Sequence, residues 1–330
     1  MSLGVIITLV AVALLFDFMN GFHDAANSIA TIVSTRVLKP HQAVIWAAAF
    51  NFLAYFLFEL KVAGTIGKGT IDPSIVDHYI VFGALIGAIA WNVLTWYYGI
   101  PSSSSHALVG GLVGAAVAKA GFGSLISAGV LKIIAFIFIA PLMGFAIGNL
   151  LMVIVSWLCR NMSPNKVDKH FRRLQLLSAA GYSLGHGGND AQKTIGIIWM
   201  LLIAANYSSP NDHIPAWVVL ACYTAMGLGT MFGGWRIVKT MGNRITKLNQ
   251  ARGFCANSGG ALTLFFATAL GVPVSTTHTI TGAIAGVGAT RGTRRVRWGV
   301  AGNIVWAWIL TIPCSAIIAA AAWWLGTKIL

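Results

Sequence analysis

The sequence is poor in charged residues. Only 9% of its 330 residues are Asp, Glu, Lys or Arg, whereas soluble domains carry about 25%. Acids are the scarcest, since Asp and Glu together number 8. So little charge cannot cover the surface of a soluble domain of this length, and the composition excludes an ordinary soluble enzyme or binding module.

Cysteine is also scarce. The four cysteines are scattered and form no C-x-x-C pair: Cys159, Cys222, Cys255 and Cys314. A disulfide framework or a cysteine metal site is therefore not expected. Zincin and nucleophile-elbow motifs are missing as well. The sequence predicts neither an enzyme nor a resident cofactor.

Long apolar runs are abundant instead. Hydrophobic residues make up 57% of the chain, and several runs exceed about 18 residues, the length that spans a bilayer. We expect spanning segments that include 3–19, 133–158, 216–235 and 298–325. The 37 glycines suit close packing of helices in lipid. The chain is predicted to be an all-α polytopic membrane protein whose first apolar run is retained, because no basic segment precedes it.

Basic residues give a net charge of +14 and cluster in short connecting loops. This placement is typical of topology signals and not of nucleic-acid binding. Loops 159–173 and 236–252 hold five basic residues each, and loop 291–297 holds four arginines. We expect these loops, and the link 36–41, in the cytoplasm. Loops 61–78 and 206–215 are then outside, as are both termini.

Two pairs of related motifs divide the chain. "GFHDAANSIA" at Gly21–Ala30 resembles "GGNDAQKTIG" at Gly187–Gly196, and "GIPSSSSH" at Gly99–His106 resembles "GVPVSTTH" at Gly271–His278. The two pairs have similar offsets, 166 and 172 positions. The chain is therefore predicted to contain a repeat.

The corresponding loops of the repeat are predicted on opposite sides of the membrane, so the repeat is inverted, as in many secondary transporters. We expect an N-terminal transmembrane repeat at 1–160, a basic cytoplasmic linker at 161–173 and a C-terminal inverted transmembrane repeat at 174–330. Broken or re-entrant helices are expected in each repeat, with interruptions at the Asp motif and at the Gly-x-Pro turn. Segments 101–118 and 273–290 are either spans or re-entrant.

Each Gly-x-Pro turn leads into a cluster of hydroxyl groups. Proline, serine and threonine favour the start of a helix, and a helix start presents free N–H groups and the positive end of the helix dipole. Such a start inside the membrane is suited to an anion. The predicted anion-binding hydroxyls are those of Ser103, Ser104, Ser105, Ser275, Thr276 and Thr277.

The Asp motifs place Asp24 and Asp190 within apolar surroundings. Ionisable groups there are costly and are functional candidates by default, although a purely structural ion pair is the alternative. Carboxylates beside an anion are reasonable if a cation or proton travels with it, or if the anion carries a proton. Phosphate carries one at neutral pH and sulfate does not, so both aspartates are also predicted to contact the substrate.

The motifs "NGFHDAANSIATIVSTRV", "HGGNDAQKTIG", "PSSSSH" and "PVSTTH" resemble the duplicated signatures of the inorganic phosphate transporter (PiT) family, in the same order and over nearly the whole chain. The bacterial low-affinity permeases are the most similar type. The resemblance implies an inverted-repeat symporter of the bacterial inner membrane that takes up phosphate by alternating access. It also implies that the signature aspartates and hydroxyls line the substrate and ion sites.

Five residues are assigned to the coupling ion: Asp24, Asn27, Asn189, Asp190 and Lys193. The sodium-type pattern resembles G-x-N-D-x-x-N, from which His23 and Lys193 depart. An ammonium group cannot ligate Na⁺, so we expect Lys193 to replace a bound sodium and to pair with Asp190, at i,i+3, or with Asp24. This pattern favours H⁺ coupling, and the resemblance adds a metal–phosphate complex as a transported form.

Three alternatives stay open: a Na⁺-coupled phosphate symporter, a permease for sulfate or another oxyanion, and a divalent metal transporter. The last would use His23, Asp24, His186 and Asp190 as ligands, but it leaves the hydroxyl motifs without a role. The expected partners are inorganic phosphate, H⁺ or Na⁺ and the lipid bilayer. A homodimer is one option for the assembly, and nucleic acid is not a partner.

Overall fold

In a computed structural model the described residues are 1–290 and 292–329, without the side chain of Asn243. Arg291, one of the arginines of loop 291–297, lies outside the described residues. The described chain forms twelve α-helices, which confirms the all-α prediction. Helices α1 to α6 are Leu3–Ser34, Pro40–Leu53, Lys61–Gly69, His78–Tyr98, Ser104–Ala120 and Ser127–Leu158. Helices α7 to α12 are Pro164–Ala204, Ala216–Phe232, Trp235–Asn243, Gln250–Ala269, Thr276–Ala289 and Trp298–Ile329.

Four helices, α1, α4, α6 and α12, are long and apolar enough to cross a membrane. Two further spans arise if each bent pair counts as one, namely α2 with α3, bent by 78°, and α8 with α9, bent by 73°. The second bend divides the predicted span 216–235. Its cause is Gly233, whose φ of 67° is accessible to glycine at little cost.

Helices α1 and α7 pass through the two Asp motifs without a break. The interruption expected at these motifs is therefore wrong. The polar side chains find partners on neighbouring helices, so the backbone does not need to open. Glycine brings those neighbours close, since a Cβ atom at Gly21 would clash with the carbonyl oxygen of Met226, and one at Gly187 with that of Asn51. Helix α7 already begins at Pro164, inside the segment predicted as a linker.

The Gly-x-Pro turns do interrupt the helices. Helix α4 ends before Gly99, which has a φ of 66°, and Ser103 caps α5 by accepting a hydrogen bond from the His106 backbone N–H at 3.2 Å. The second turn repeats this arrangement, with Gly271 at a φ of 66°. There Ser275 accepts from the His278 N–H at 3.1 Å. The predicted helix starts are confirmed, and both lie in the protein interior.

Helices α5 and α11 have 17 and 14 residues, fewer than the roughly 20 that a spanning helix needs. Each packs closely on a long helix that contains a proline. A Cβ atom at Gly114 of α5 would clash with the carbonyl of Ala316 in α12, and one at Gly282 of α11 with that of Pro141 in α6. Small residues thus bring the short helices against α12 and α6.

The two ends of the chain lie at the same end of the helix bundle. Ser2 and Gly4 at the start of α1 line one cavity together with Gly326 and Ile329 at the end of α12. Both termini are therefore on one side of the protein. Their assignment to the external side stays a prediction.

Candidate functional site

The polar motifs lie between two apolar clusters. Helix α1 contributes residues up to Phe16 to the first cluster and residues from Ala26 onward to the second. Helix α7 contributes Tyr182 to the second cluster and residues from Ala191 onward to the first. The two helices thus cross the clusters in opposite directions, and their polar segments meet between them.

Asp190 is the centre of the polar contacts. Its side chain is fully buried, and its Oδ1 accepts a hydrogen bond from the Lys193 ammonium. Its Oδ2 accepts from the Thr276 hydroxyl at 3.0 Å and lies 3.3 Å from His186 Nε2. The ion pair expected for Lys193 thus forms with Asp190 rather than with Asp24.

The Lys193 ammonium has two further acceptors. It donates to Ser105 Oγ and, at 2.7 Å, to the carbonyl oxygen of Val274. An ammonium group has three N–H donors, so the three contacts satisfy it. Lys193 therefore holds a fixed positive charge between the two Pro-hydroxyl turns.

Both turns reach the same carboxylate. Ser105 of the first turn donates to Asp190 Oδ1 at 3.4 Å, and Thr276 of the second turn donates to Oδ2 at 3.0 Å. Asn27 on α1 also reaches the second turn, donating to the hydroxyls of Thr276 at 3.2 Å and Thr277 at 2.9 Å. The starts of α5 and α11 therefore lie close together, since both contact the Asp190 side chain.

Asp24 forms the other side of the cluster. Its Oδ1 lies 2.6 Å from His23 Nδ1, and His23 Nε2 lies 3.1 Å from Thr95 Oγ1. Asp24, His186 and Asp190 each offer an oxygen or nitrogen atom, and these atoms lie within 4.8 Å of one another. These three residues could hold a divalent cation.

The remaining candidate residues have distinct surroundings. Asn189 donates to Thr268 Oγ1 at 2.9 Å and to the Val272 carbonyl at 3.0 Å, and it accepts from the Val274 N–H at 3.1 Å. In this conformation it holds the second turn in place. Ser104 differs from all of these because its buried hydroxyl has no hydrogen-bond partner among the described residues. That hydroxyl is free to donate to a ligand.

All of these predicted site side chains are at most 2% exposed, so this conformation is closed to solvent at the site. Hydroxyl and amide donors together with two helix N-termini can bind a tetrahedral oxyanion. The carboxylates can bind a cation or a proton. The arrangement thus places groups that can bind an anion beside groups that can bind a cation.

Three polar residues near the cluster were missed by the sequence reasoning. Asp17 is a third buried acid, seven positions before Asp24 and hence on the same face of α1, so its spacing was a usable signal. Thr95 contacts His23, and Asn51 Oδ1 accepts a hydrogen bond from His186 Nδ1 at 3.1 Å. Neither lies in a repeated motif, and no sequence signal marked them.

The chain matches the Phosphate transporter family over residues 20–319. It belongs to that family. A relative from Rhizobium meliloti (strain 1021), "Probable low-affinity inorganic phosphate transporter", is 60% identical and aligns over 97% of this chain and 96% of the relative. A relative of the same name from Bacillus subtilis (strain 168) is 47% identical, again over 97% of this chain and 96% of the relative.

A solved structure described as "The sodium-dependent phosphate transporter" has the same architecture. Its TM-score is 0.91 with 26% sequence identity, and the match covers 99% of this chain and 100% of that one. The family membership agrees with the apolar helices, and the chain is an integral membrane protein of a transporter family and not an enzyme.

Proposed function

We propose that this chain takes up inorganic phosphate across the bacterial inner membrane by alternating access, with H⁺ as the coupling ion. The observation that carries the proposal is that both Pro-hydroxyl turns donate to Asp190, at 3.4 Å from Ser105 and at 3.0 Å from Thr276. Two helix N-termini and their hydroxyls thereby converge on one negatively charged group. The Asp190 carboxylate accepts hydrogen bonds from hydroxyls that could also donate to a phosphate ion. Phosphate binding would therefore replace the bonds to Asp190 by bonds to phosphate.

Alternating access is supported by the inverted repeat that the sequence predicts for residues 1–160 and 174–330. The first turn packs on α9, where Gly99 lies beside Arg236, and the second packs on α3, where Gly271 lies beside Lys61. The opposite directions of α1 and α7 through the apolar clusters agree with this relation. Rocking of two inverted repeats about a central site would open it first to one side and then to the other.

Proton coupling is supported by the position of Lys193. Its ammonium contacts Asp190, Ser105 and the Val274 carbonyl, all oxygen groups that could otherwise ligate Na⁺. A fixed ammonium at this position repels a second cation. The protein therefore carries its own cation among oxygen atoms that could otherwise hold Na⁺.

The experiment is uptake of labelled phosphate by the purified protein in sodium-free proteoliposomes with an imposed pH gradient. We expect accumulation that a protonophore abolishes, competition by arsenate and little competition by sulfate. Uptake that strictly requires Na⁺ would refute proton coupling. Equal competition by sulfate would refute selectivity for phosphate and favour a general oxyanion permease.

A second candidate is the transport of phosphate as a divalent metal complex. The convergence of Asp24, His186 and Asp190 within 4.8 Å favours it, because carboxylate and imidazole are common ligands of such cations. Labelled Mn²⁺ should then enter the same vesicles only when phosphate is present, and His186→Gln should reduce Mn²⁺ entry. Phosphate uptake that is indifferent to a chelator would exclude this candidate.

A further inference from the structure

Asp17 is a buried acid outside the proposed phosphate site. Its side chain is fully buried in α1, and its Oδ1 accepts a hydrogen bond from the Thr194 hydroxyl at 3.0 Å. Its Oδ2 has no hydrogen-bond partner among the described residues. An ionised carboxylate with one oxygen unpaired is costly in such surroundings. The free oxygen therefore points to a bound ligand.

The other two acids of the polar segment each contact a basic group. Asp24 lies 2.6 Å from His23, and Asp190 pairs with Lys193. Asp17 has no such contact, since no ion pair to it occurs within the described part of the chain. A bound cation or proton would compensate its charge by direct contact.

The surroundings of Asp17 favour a proton. The Asn20 side chain of α1 and the Cys222 thiol of α8 lie beside the carboxyl group without pairing with its Oδ2. Two neutral neighbours and one hydroxyl do not form the carboxylate-rich shell that a hard metal cation prefers. The titratable groups that act on Asp17 from the helices packed against it are Asp190 and Lys193 of α7 and Cys222 and Tyr223 of α8.

Asn20 supplies a second unpaired atom. Its Oδ1 is buried and also has no hydrogen-bond partner among residues 1–290 and 292–329. A proton on Asp17 Oδ2 would convert that oxygen into a donor, and Asn20 Oδ1 is an acceptor on the same helix. One proton would thus satisfy two buried atoms that are otherwise unpaired.

We propose that Asp17 is the binding site of the coupling proton. The Oδ2–H bond forms with a proton from one side of the membrane and breaks to release it to water on the other side. Asp17 lies two helical turns from Asp24, about 10 Å along α1, so proton and phosphate bind close together without sharing ligands. This inference rests on the proton-coupled function proposed above.

The test is Asp17→Asn, whose amide has the size of a protonated carboxyl group but cannot release a proton. We expect pH-gradient-driven accumulation of phosphate to fall to the level of vesicles without a gradient. Exchange of internal for external phosphate should continue at the wild-type rate, because exchange needs no release of the proton. Ser183→Ala is the matched control, since Ser183 lies 166 positions after Asp17 and is equally buried. It should accumulate phosphate normally.

The inference would be overturned if the Asp17→Asn variant accumulated phosphate like the wild type. It would also be overturned if the folded variant lost both exchange and accumulation. Should this variant not fold, Thr194→Val gives the second test. It removes the hydrogen bond to the ionised form, so the pH of half-maximal uptake should rise. An unchanged pH profile would also overturn the inference. Failure of the wild-type protein to respond to a pH gradient would instead refute the proposed function itself.

Discussion

Helices α1–α6 and α7–α12 follow one another in the same order of long and short helices, but the two segments reach the site with different side chains. Asn27 on α1 donates to Thr277 of the second turn at 2.9 Å. Lys193, 166 positions later on α7, donates to Ser105 of the first turn. One scaffold position thus holds a neutral amide in the first segment and a positive charge in the second.

The same contrast extends along α1 and α7. His23 contacts the Asp24 carboxylate, whereas Asn189 at the matching position holds the backbone of the second turn. Asp17 has Ser183 as its counterpart, 166 positions later. The order of helices is similar in the two segments, while their ionisable groups are distributed unequally.

The largest effect is expected from the two motif aspartates. Asp24→Asn and Asp190→Asn should each abolish concentrative phosphate uptake. Only Asp190→Asn also leaves a buried ammonium without its carboxylate, which costs about 3–5 kcal/mol, whereas the partner of Asp24 is an imidazole, that of His23. Thermal unfolding should therefore separate the two variants. Full transport by either variant would remove that residue from the site.

A control follows from the ion pair itself. Asp190→Asn combined with Lys193→Met removes both charges, so it should recover most of the lost stability and none of the transport. If the double variant does not recover stability, Asp190 stabilises the fold through His186 and Thr276 rather than through Lys193.

The next effect concerns the coupling ion. Lys193→Asn gives the second segment the amide that the first has at Asn27, and removes the ammonium that keeps a cation out. We expect phosphate uptake by this variant to become dependent on Na⁺, measured in vesicles with either a Na⁺ or a pH gradient. Asn27→Gln, which keeps an amide in the first segment, is the control and should not acquire this dependence. If phosphate uptake by the Lys193→Asn variant stayed independent of Na⁺, the proposal that the Lys193 ammonium replaces a bound sodium would be contradicted.

A smaller effect, equal in both segments, is expected from the helix contacts. Gly21→Ala and Gly187→Ala each drive a methyl group into a neighbouring carbonyl oxygen, and overpacking of this kind costs about 1–3 kcal/mol. Both variants should unfold at lower temperature by similar amounts. Gly181→Ala on α7 is the control, because its nearest neighbour, the Ala261 Cβ, is 3.9 Å away. Loss of stability in only one of the two variants would show that the segments are packed differently.

The smallest effect distinguishes the hydroxyls. Ser105 accepts from an ammonium and Thr277 from a neutral amide, and hydrogen bonds to charged groups contribute about 1.5–3 kcal/mol against roughly 1 for neutral ones. Ser105→Ala should therefore lower the unfolding temperature more than Thr277→Val. Ser104→Ala breaks no hydrogen bond in this conformation, so it should leave stability unchanged and weaken phosphate binding. Equal stability losses in all three variants would contradict these assignments.

Much of the fold could be predicted from the sequence because the signals are local. Proline and hydroxyl residues after Gly99 and Gly271 predict the starts of α5 and α11, and the i,i+3 spacing predicts the pair of Asp190 with Lys193. The unbroken course of α1 and α7 was not predictable in this way. It depends on partners such as Thr95 and Asn51, which lie on other helices.

The site was harder to predict where its chemistry depends on packing. The sequence places Asn189 among the ion-binding candidates, but only the tertiary structure brings its amide to Val272 and Val274. Likewise, the contact of Asp17 with Thr194 requires that α1 and α7 lie side by side. Spacing along one helix gives the face of a residue and not its partner on the next helix.

The central claim is that the two Pro-hydroxyl turns together bind the transported anion. Crystals of the protein soaked with arsenate, a tetrahedral analogue with an anomalous X-ray signal, test it most directly. We predict an anomalous peak between Ser103–Ser105 and Ser275–Thr277, next to Asp24 and Asp190. A peak elsewhere, with the hydroxyls still bonded to Asp190, would contradict the account.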